Sequence, residues 1–236
     1  MEKLSNNIAE NVKRIRWELD EAAVAAGRKP EEVQLMAVTK TQSATLVNLA
    51  IAAGIDLLGE NRAQELMEKY EDYHKEHADI HFIGHLQTNK VKQVVGKVKM
   101  IESVGSLKLA REISKFSQKM DVTTEVLVQI NIGDEDTKGG IAPSQAEELI
   151  RQMALLPNIQ VQGLMAIPPI WNSSSENEGY FARMHEILVD IKGKKIDNVN
   201  MEVLSMGMSG DFAAAIRHGS TLVRLGSAIF GSRNYQ

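Results

Sequence analysis

Lys40 closes the apolar run VQLMAVTK at 33–40, which carries its amine to the edge of a hydrophobic strand. Partial desolvation there disfavours the ammonium, and a neutral amine attacks an aldehyde to give a Schiff base. Taken alone, a lysine at a strand end is an ordinary solvent-facing residue. A second group of residues raises its interest. Ser205 ends one apolar run and Gly226-Ser227 ends another. A glycine beside a small hydroxyl residue lets an anion approach backbone amides, and residues 228–230 can begin a short helix whose amino end favours phosphate. Each serine alone is equally well a cap of a helix or turn. Arg224 lies two residues before Gly226 and shares its face in an extended strand. A guanidinium cannot shed its charge, so inside a fold it needs a partner, for which Glu60 is a candidate. A plain structural ion pair is the alternative reading of Arg224. The amine, the fixed cation and the anion-ready turn are together more specific than any one of them.

Other arrangements point elsewhere and carry less. His77, His81 and His85 are spaced by four, which on a helix would align three imidazoles for a metal. The run IHFIG at 80–84 reads as a strand, so edge-of-strand histidines are the better expectation. Residues 133–137, GDEDT, lack the ligand spacing of a calcium loop. No GxSxG, GxGxxG or GxxxxGK[ST] string marks a hydrolase elbow, a dinucleotide fold or a nucleoside triphosphate site.

The elements that must position these residues follow from periodicity. Ile8, Val12, Ile15, Leu19 and Ala23 form one apolar face of an amino-terminal helix that Gly27 and Pro30 terminate. Short apolar runs at 33–39, 56–59, 80–84, 100–104, 125–131, 160–166, 201–205 and 222–226 then read as strands. Helical patterns at 43–53, 62–74, 107–119, 143–155 and 178–192 lie between them. About eight such units in one chain predict a (β/α)8 TIM barrel in a single domain spanning 1–236, with the amino-terminal helix as an extra element. An open doubly wound sheet is the rival. In either case the strand ends share one side, where chemistry belongs. The stretch at 171–179 reads as an exposed loop.

Composition excludes several classes. The 236 residues are 43% hydrophobic and 25% charged, with 27 Lys plus Arg against 31 Asp plus Glu for a net charge of -4. Such a balance gives no general attraction for nucleic acid or anionic membrane. The absence of cysteine removes disulfides, thiolate metal sites and thiol nucleophiles. No apolar run approaches a membrane span, and the charged amino terminus lacks the centre of a signal peptide, so a cytoplasmic location is expected.

In the order of the chain, AVTK around Lys40, LLGENRAQE at 57–65 and HFIGHLQTNK at 81–90 resemble the YggS/PLPBP family of pyridoxal phosphate homeostasis proteins. So do VLVQINIGDEDTKGG at 126–140, GLMAIPP at 163–169, LSMGMSGDFAAAI at 204–216 and VRLGSAIFGSR at 223–233. The resemblance implies a barrel of the alanine racemase N-terminal domain type that holds pyridoxal 5′-phosphate (PLP) as a lysine aldimine. It makes Lys40 the aldimine lysine and puts Ser205, Gly226 and Ser227 at the phosphate. Arg224 would face the pyridine nitrogen, Asn61 would lie near the ring and Met165 beneath it. Lys138 matches a second lysine linked to cofactor handling, although GDEDTKGG departs from the usual loop.

The resemblance further implies a PLP-binding protein of vitamin B6 and amino-acid homeostasis without catalytic turnover, with PLP-dependent apoenzymes as recipients and a monomeric state. An arginine at the ring nitrogen disfavours a second positive charge there and leaves a poor electron sink. The chain ends at Tyr235-Gln236, which is read as leaving no room for the β domain that gives racemases their opposing tyrosine. A PLP-dependent amino-acid racemase or decarboxylase is the main alternative. A cofactor-free Schiff-base aldolase is another.

Overall fold

A computed structural model of the chain describes residues 2–135, 138–169 and 177–231. The expected loop at 171–179 falls largely outside them, as does Tyr235-Gln236. Eight strands follow one another: β1 (Gln34–Val38), β2 (Leu57–Glu60), β3 (Asp79–Phe82), β4 (Met100–Val104), β5 (Thr124–Ile130), β6 (Ile159–Ala166), β7 (Val199–Ser205) and β8 (Leu222–Leu225). All neighbours are parallel, and the sheet closes in sequence order. The seam decides between closed and open sheets. Ala37 of β1 lies opposite Leu58 of β2 on one side and Leu225 of β8 on the other.

The helices are α1 (Glu2–Ala25), α2 (Ala44–Ala52), α3 (Ala63–Lys69), α4 (Val91–Val94), α5 (Leu107–Lys119), α6 (Ala146–Ala154), α7 (Glu178–Gly193), α8 (Phe212–Arg217) and α9 (Ser227–Phe230). From α2 onward, each follows one strand. Ser43 and Ser106 cap α2 and α5, their hydroxyls accepting from Leu46 N and Leu109 N. The predicted stripe of α1 is buried throughout, from Ile8 to Ala23. This helix is additional to the eight units. Its Asn11 Nδ2 donates to Ile229 O at 3.0 Å, so α1 braces α9.

Alternation along the strands makes two cores. Outward residues such as Leu58, Phe82, Ile101 and Val128 join the helix faces in one large cluster. Inward residues fill the barrel: Met36, Leu57, Ile83 and Leu222 in one group, Met100, Leu127 and Met165 in another. Burial on both faces explains why the strands read as continuous apolar runs. Helices α4 and α8 have no counterpart among the predicted helices, because one or two turns hold too few residues to display a period. Among the described residues no helix is long and apolar enough to cross a membrane.

Candidate functional site

The carboxyl ends of six strands enclose a cavity of about 590 Å3. Lys40 and Gln42 reach it from the turn after β1, and Asn61 from the turn after β2. Arg224 comes from β8 itself, while Gly226 and Ser227 come from its end. Val38, Ile83 and Ile167 give it apolar walls. Five of the residues singled out in the sequence therefore converge on one space. Ser205 and Met165 do not line it; both are fully buried beneath.

The floor of the cavity is a buried polar chain inside the barrel. Arg224 Nη1 donates to Ser205 Oγ at 2.5 Å, and its Nη2 donates to Ala166 O at 2.8 Å. Ser205 Oγ donates in turn to Glu102 Oε2 at 2.5 Å. Glu102 Oε1 faces His81 Nδ1 at 2.7 Å, where a carboxylate accepts from a protonated Nδ1. Strands β4 and β7 are not neighbours in the sheet, so these contacts cross the interior. Burial pushes the Arg224 guanidinium below its ordinary pKa, and the carboxylates of Glu102 and Asp211 oppose that shift. Ser205, expected at the phosphate, has its hydroxyl bonded to Arg224 and Glu102. One expectation is corrected here. Glu60, suggested as the partner of Arg224, points the other way, and Glu102 supplies the counter-charge. Met165 packs with Met100 and Leu127 below the cavity and is not among the residues that line it.

Glu60 belongs to a second buried cluster, behind the barrel wall. Its Oε1 accepts from Thr39 Oγ1 at 2.6 Å and from Tyr73 Oη at 2.5 Å, and lies 3.0 Å from Lys69 Nζ. Burial and the Glu60 charge push the Tyr73 phenol well above its ordinary pKa, which keeps it a donor.

The opposite rim reveals a residue that sequence reasoning passed over. Gly207, at φ 94°, turns the chain after β7 and brings Ser209 into the cavity. A Cβ at this glycine would stand 2.7 Å from Ala215 Cβ. Asp211 Oδ1 accepts from Met208 N at 2.7 Å and fixes the loop. Ser209 Oγ then lies 3.5 Å from Ser227 Oγ. Gly226 is the N-cap of α9, and its carbonyl accepts from Ile229 N and Phe230 N, which leaves the amides of Ser227 and Ala228 at the amino end of the helix. Two hydroxyls and a helix amino end on one rim suit an anion. The signal for Ser209 was its position just past a strand-end glycine, in the same string as Ser205.

Residues 6–234 match the family model described as "Alanine racemase, N-terminal domain". A pyridoxal phosphate homeostasis protein from Aquifex aeolicus is 38% identical, across 97% of this chain and all of that one. Its Escherichia coli K12 counterpart is also 38% identical, across 98% of both chains. The chain belongs to the pyridoxal phosphate homeostasis protein family. A structure of PipY from Synechococcus elongatus with PLP bound superposes with a TM-score of 0.82 at 28% identity, covering 95% of this chain and all of that one. A crystal structure of a protein of unknown function from Bifidobacterium adolescentis gives a TM-score of 0.93 at 33% identity, covering 98% and 97%.

In this member of the family, Lys138 stands apart from the cavity lining. Its Nζ donates to Pro168 O at 2.7 Å and pairs with Glu135. The three spaced histidines do not meet: His81 serves Glu102, His77 faces Glu76, and His85 is exposed. Among the described residues no cluster of three or more His, Cys, Asp or Glu could hold a metal.

Proposed function

We propose that residues 1–236 form one PLP-binding barrel domain that holds the cofactor at Lys40 as a reservoir, without turnover. The observation that carries this reading is the convergence of Lys40, Arg224 and the Gly226-Ser227 turn on one cavity of about 590 Å3. That size is in the range of small-molecule sites, roughly 300–1,000 Å3. The donor set suits PLP: an amine for the aldehyde, an anion-ready rim for the phosphate, and apolar walls for the ring.

Bound PLP supplies an aldehyde, whose carbon the Lys40 nitrogen bonds while the carbonyl oxygen leaves as water. Ser227, Gly226 and Ser209 hold the phosphate. Asn61 flanks the ring. Arg224 is assigned to the pyridine nitrogen, where its permanent charge opposes protonation. Ser205 and Met165 support this arrangement from beneath. Among the described residues that line the cavity there is no carboxylate, histidine or tyrosine to exchange a proton with an amino acid. This favours storage over racemisation. The reading takes PLP-dependent apoenzymes as recipients, the cytoplasm as the setting and a monomer as the working unit.

Borohydride reduction of PLP-loaded protein followed by peptide mass mapping is expected to put a single phosphopyridoxyl group on Lys40. A different modified lysine would overturn the assignment, and rapid α-proton exchange across an amino-acid panel would overturn storage. Ser209→Ala removes one hydroxyl donor and is expected to weaken PLP binding about fivefold in equilibrium titration. An unchanged affinity would take Ser209 out of the phosphate site.

A further inference from the structure

The residues on either side of Lys40 are tied to a single short helix. Thr41 N–H donates to Glu65 Oε2 at 2.8 Å. Lys69 Nζ donates to Thr39 O at 3.2 Å and to Gln42 O at 3.4 Å. Both side chains come from α3 and meet each other, Lys69 Nζ to Glu65 Oε2, at 3.4 Å. Lys69 is 13% exposed and lies against the buried Glu60 carboxylate, which also accepts from Thr39 Oγ1. The turn is tightened by Gln42 N donating to Thr39 O at 3.0 Å. Thr41 sits at φ 66°, a left-handed conformation that a β-branched residue seldom adopts unless its surroundings enforce it. Glu65 accepts the amide of that residue. Asn61, on the adjoining cavity wall, immediately precedes α3 and its N-cap Arg62.

We propose that Glu65 and Lys69 are positioning residues for Lys40. From behind the barrel wall they hold the 39–42 turn in its left-handed form, so that the Lys40 amine is presented to an incoming carbonyl. Neither touches the cavity, and nothing they bind is part of the phosphate rim. They therefore act on the covalent step and not on retention of ring and phosphate. The proposal rests on the assignment of Lys40 as the PLP-reactive amine.

The test compares two ligands. PLP reports capture through the absorbance change on adduct formation. Pyridoxine 5′-phosphate has an alcohol in place of the aldehyde and reports binding alone. Glu65→Ala is expected to slow adduct formation about tenfold while pyridoxine 5′-phosphate affinity stays within about twofold. Glu65→Gln retains an oxygen for the Thr41 amide and should recover most of the rate. Lys69→Met should slow capture as Glu65→Ala does. In the ligand-free protein, hydrogen exchange at Thr41 should rise in Glu65→Ala. Wild-type rates in Glu65→Ala, or equal losses for both ligands, would overturn the proposal and leave the PLP assignment standing. A wild-type chain that binds pyridoxine 5′-phosphate but forms no adduct with PLP would overturn both.

Discussion

Replacing Glu102 by Gln is expected to lower the stability of the protein by about 3–5 kcal/mol, because it leaves a buried guanidinium without its anion. Arg224 is 4% exposed and Glu102 is fully buried. Their link runs through one hydroxyl, with Ser205 accepting from Arg224 and donating to Glu102. An amide in place of the carboxylate keeps the shape and removes the charge. Ser205 would keep an acceptor, but the larger part of the field that offsets the desolvation of Arg224 would be gone, leaving only the smaller contribution of Asp211. Desolvating a charge in an interior of low polarity costs more than any one hydrogen bond returns. For a chain of this length the loss corresponds to a fall in melting temperature of about 6–20 °C. Thermal unfolding of the variant tests it directly. Adding Arg224→Met should restore most of the stability, since removing both charges costs far less than removing one. A single variant within about 1 kcal/mol of wild type would mean that Arg224 finds its compensation elsewhere.

Gly84→Ala should be nearly as damaging, for a steric reason. A Cβ at position 84 would stand 1.9 Å from Asn61 O and 2.8 Å from Asn61 Cα. Those atoms are backbone, so no side-chain rotation relieves the overlap, and the turn after β2 must move. The expected cost is about 3 kcal/mol, at the upper end for overpacking. The displacement falls on Asn61, a wall of the cavity, so ligand affinity should fall together with the denaturant midpoint. Gly179, on the exposed side of α7, offers the contrast. A Cβ there would meet nothing within 4 Å, and alanine should be tolerated. Equal behaviour of the two alanine variants would show that the β2–α3 turn yields more easily than its packing implies.

Much of the architecture could be read from the chain because the alternation of buried strands and amphipathic helices is a local property. Closure could not. Whether β1 meets β8 depends on tilt and stagger accumulated over all the strands, which no window of residues contains. The cavity lining was legible where a residue stands within two positions of a strand end, as Lys40, Asn61 and Ser227 do. The lining was not legible where the choice lay between two residues of one string. Ser205 and Ser209 have the same chemistry, but one ends its strand inside the barrel and the other lies beyond the turn at Gly207. Glu60 drew attention through its place at a strand end, and Glu102 escaped it. The clue to Glu102 was nevertheless present, as a lone carboxylate in the apolar run MIESV. A charge at the centre of a buried strand needs a counter-ion, and Arg224 needed one too.

The seam between β1 and β8 has a consequence for how the protein is made. During synthesis, the strand leading to Lys40 emerges long before the turn that carries Ser227, and α1 must wait for the segment that Asn11 grips. Until translation has passed that segment, the nascent chain has a first strand with one open edge and an incomplete ligand pocket, which is the condition in which chaperones are most needed. A ribosome-tethered chain stopped before β8 should therefore capture no cofactor, however well its earlier strands have collapsed.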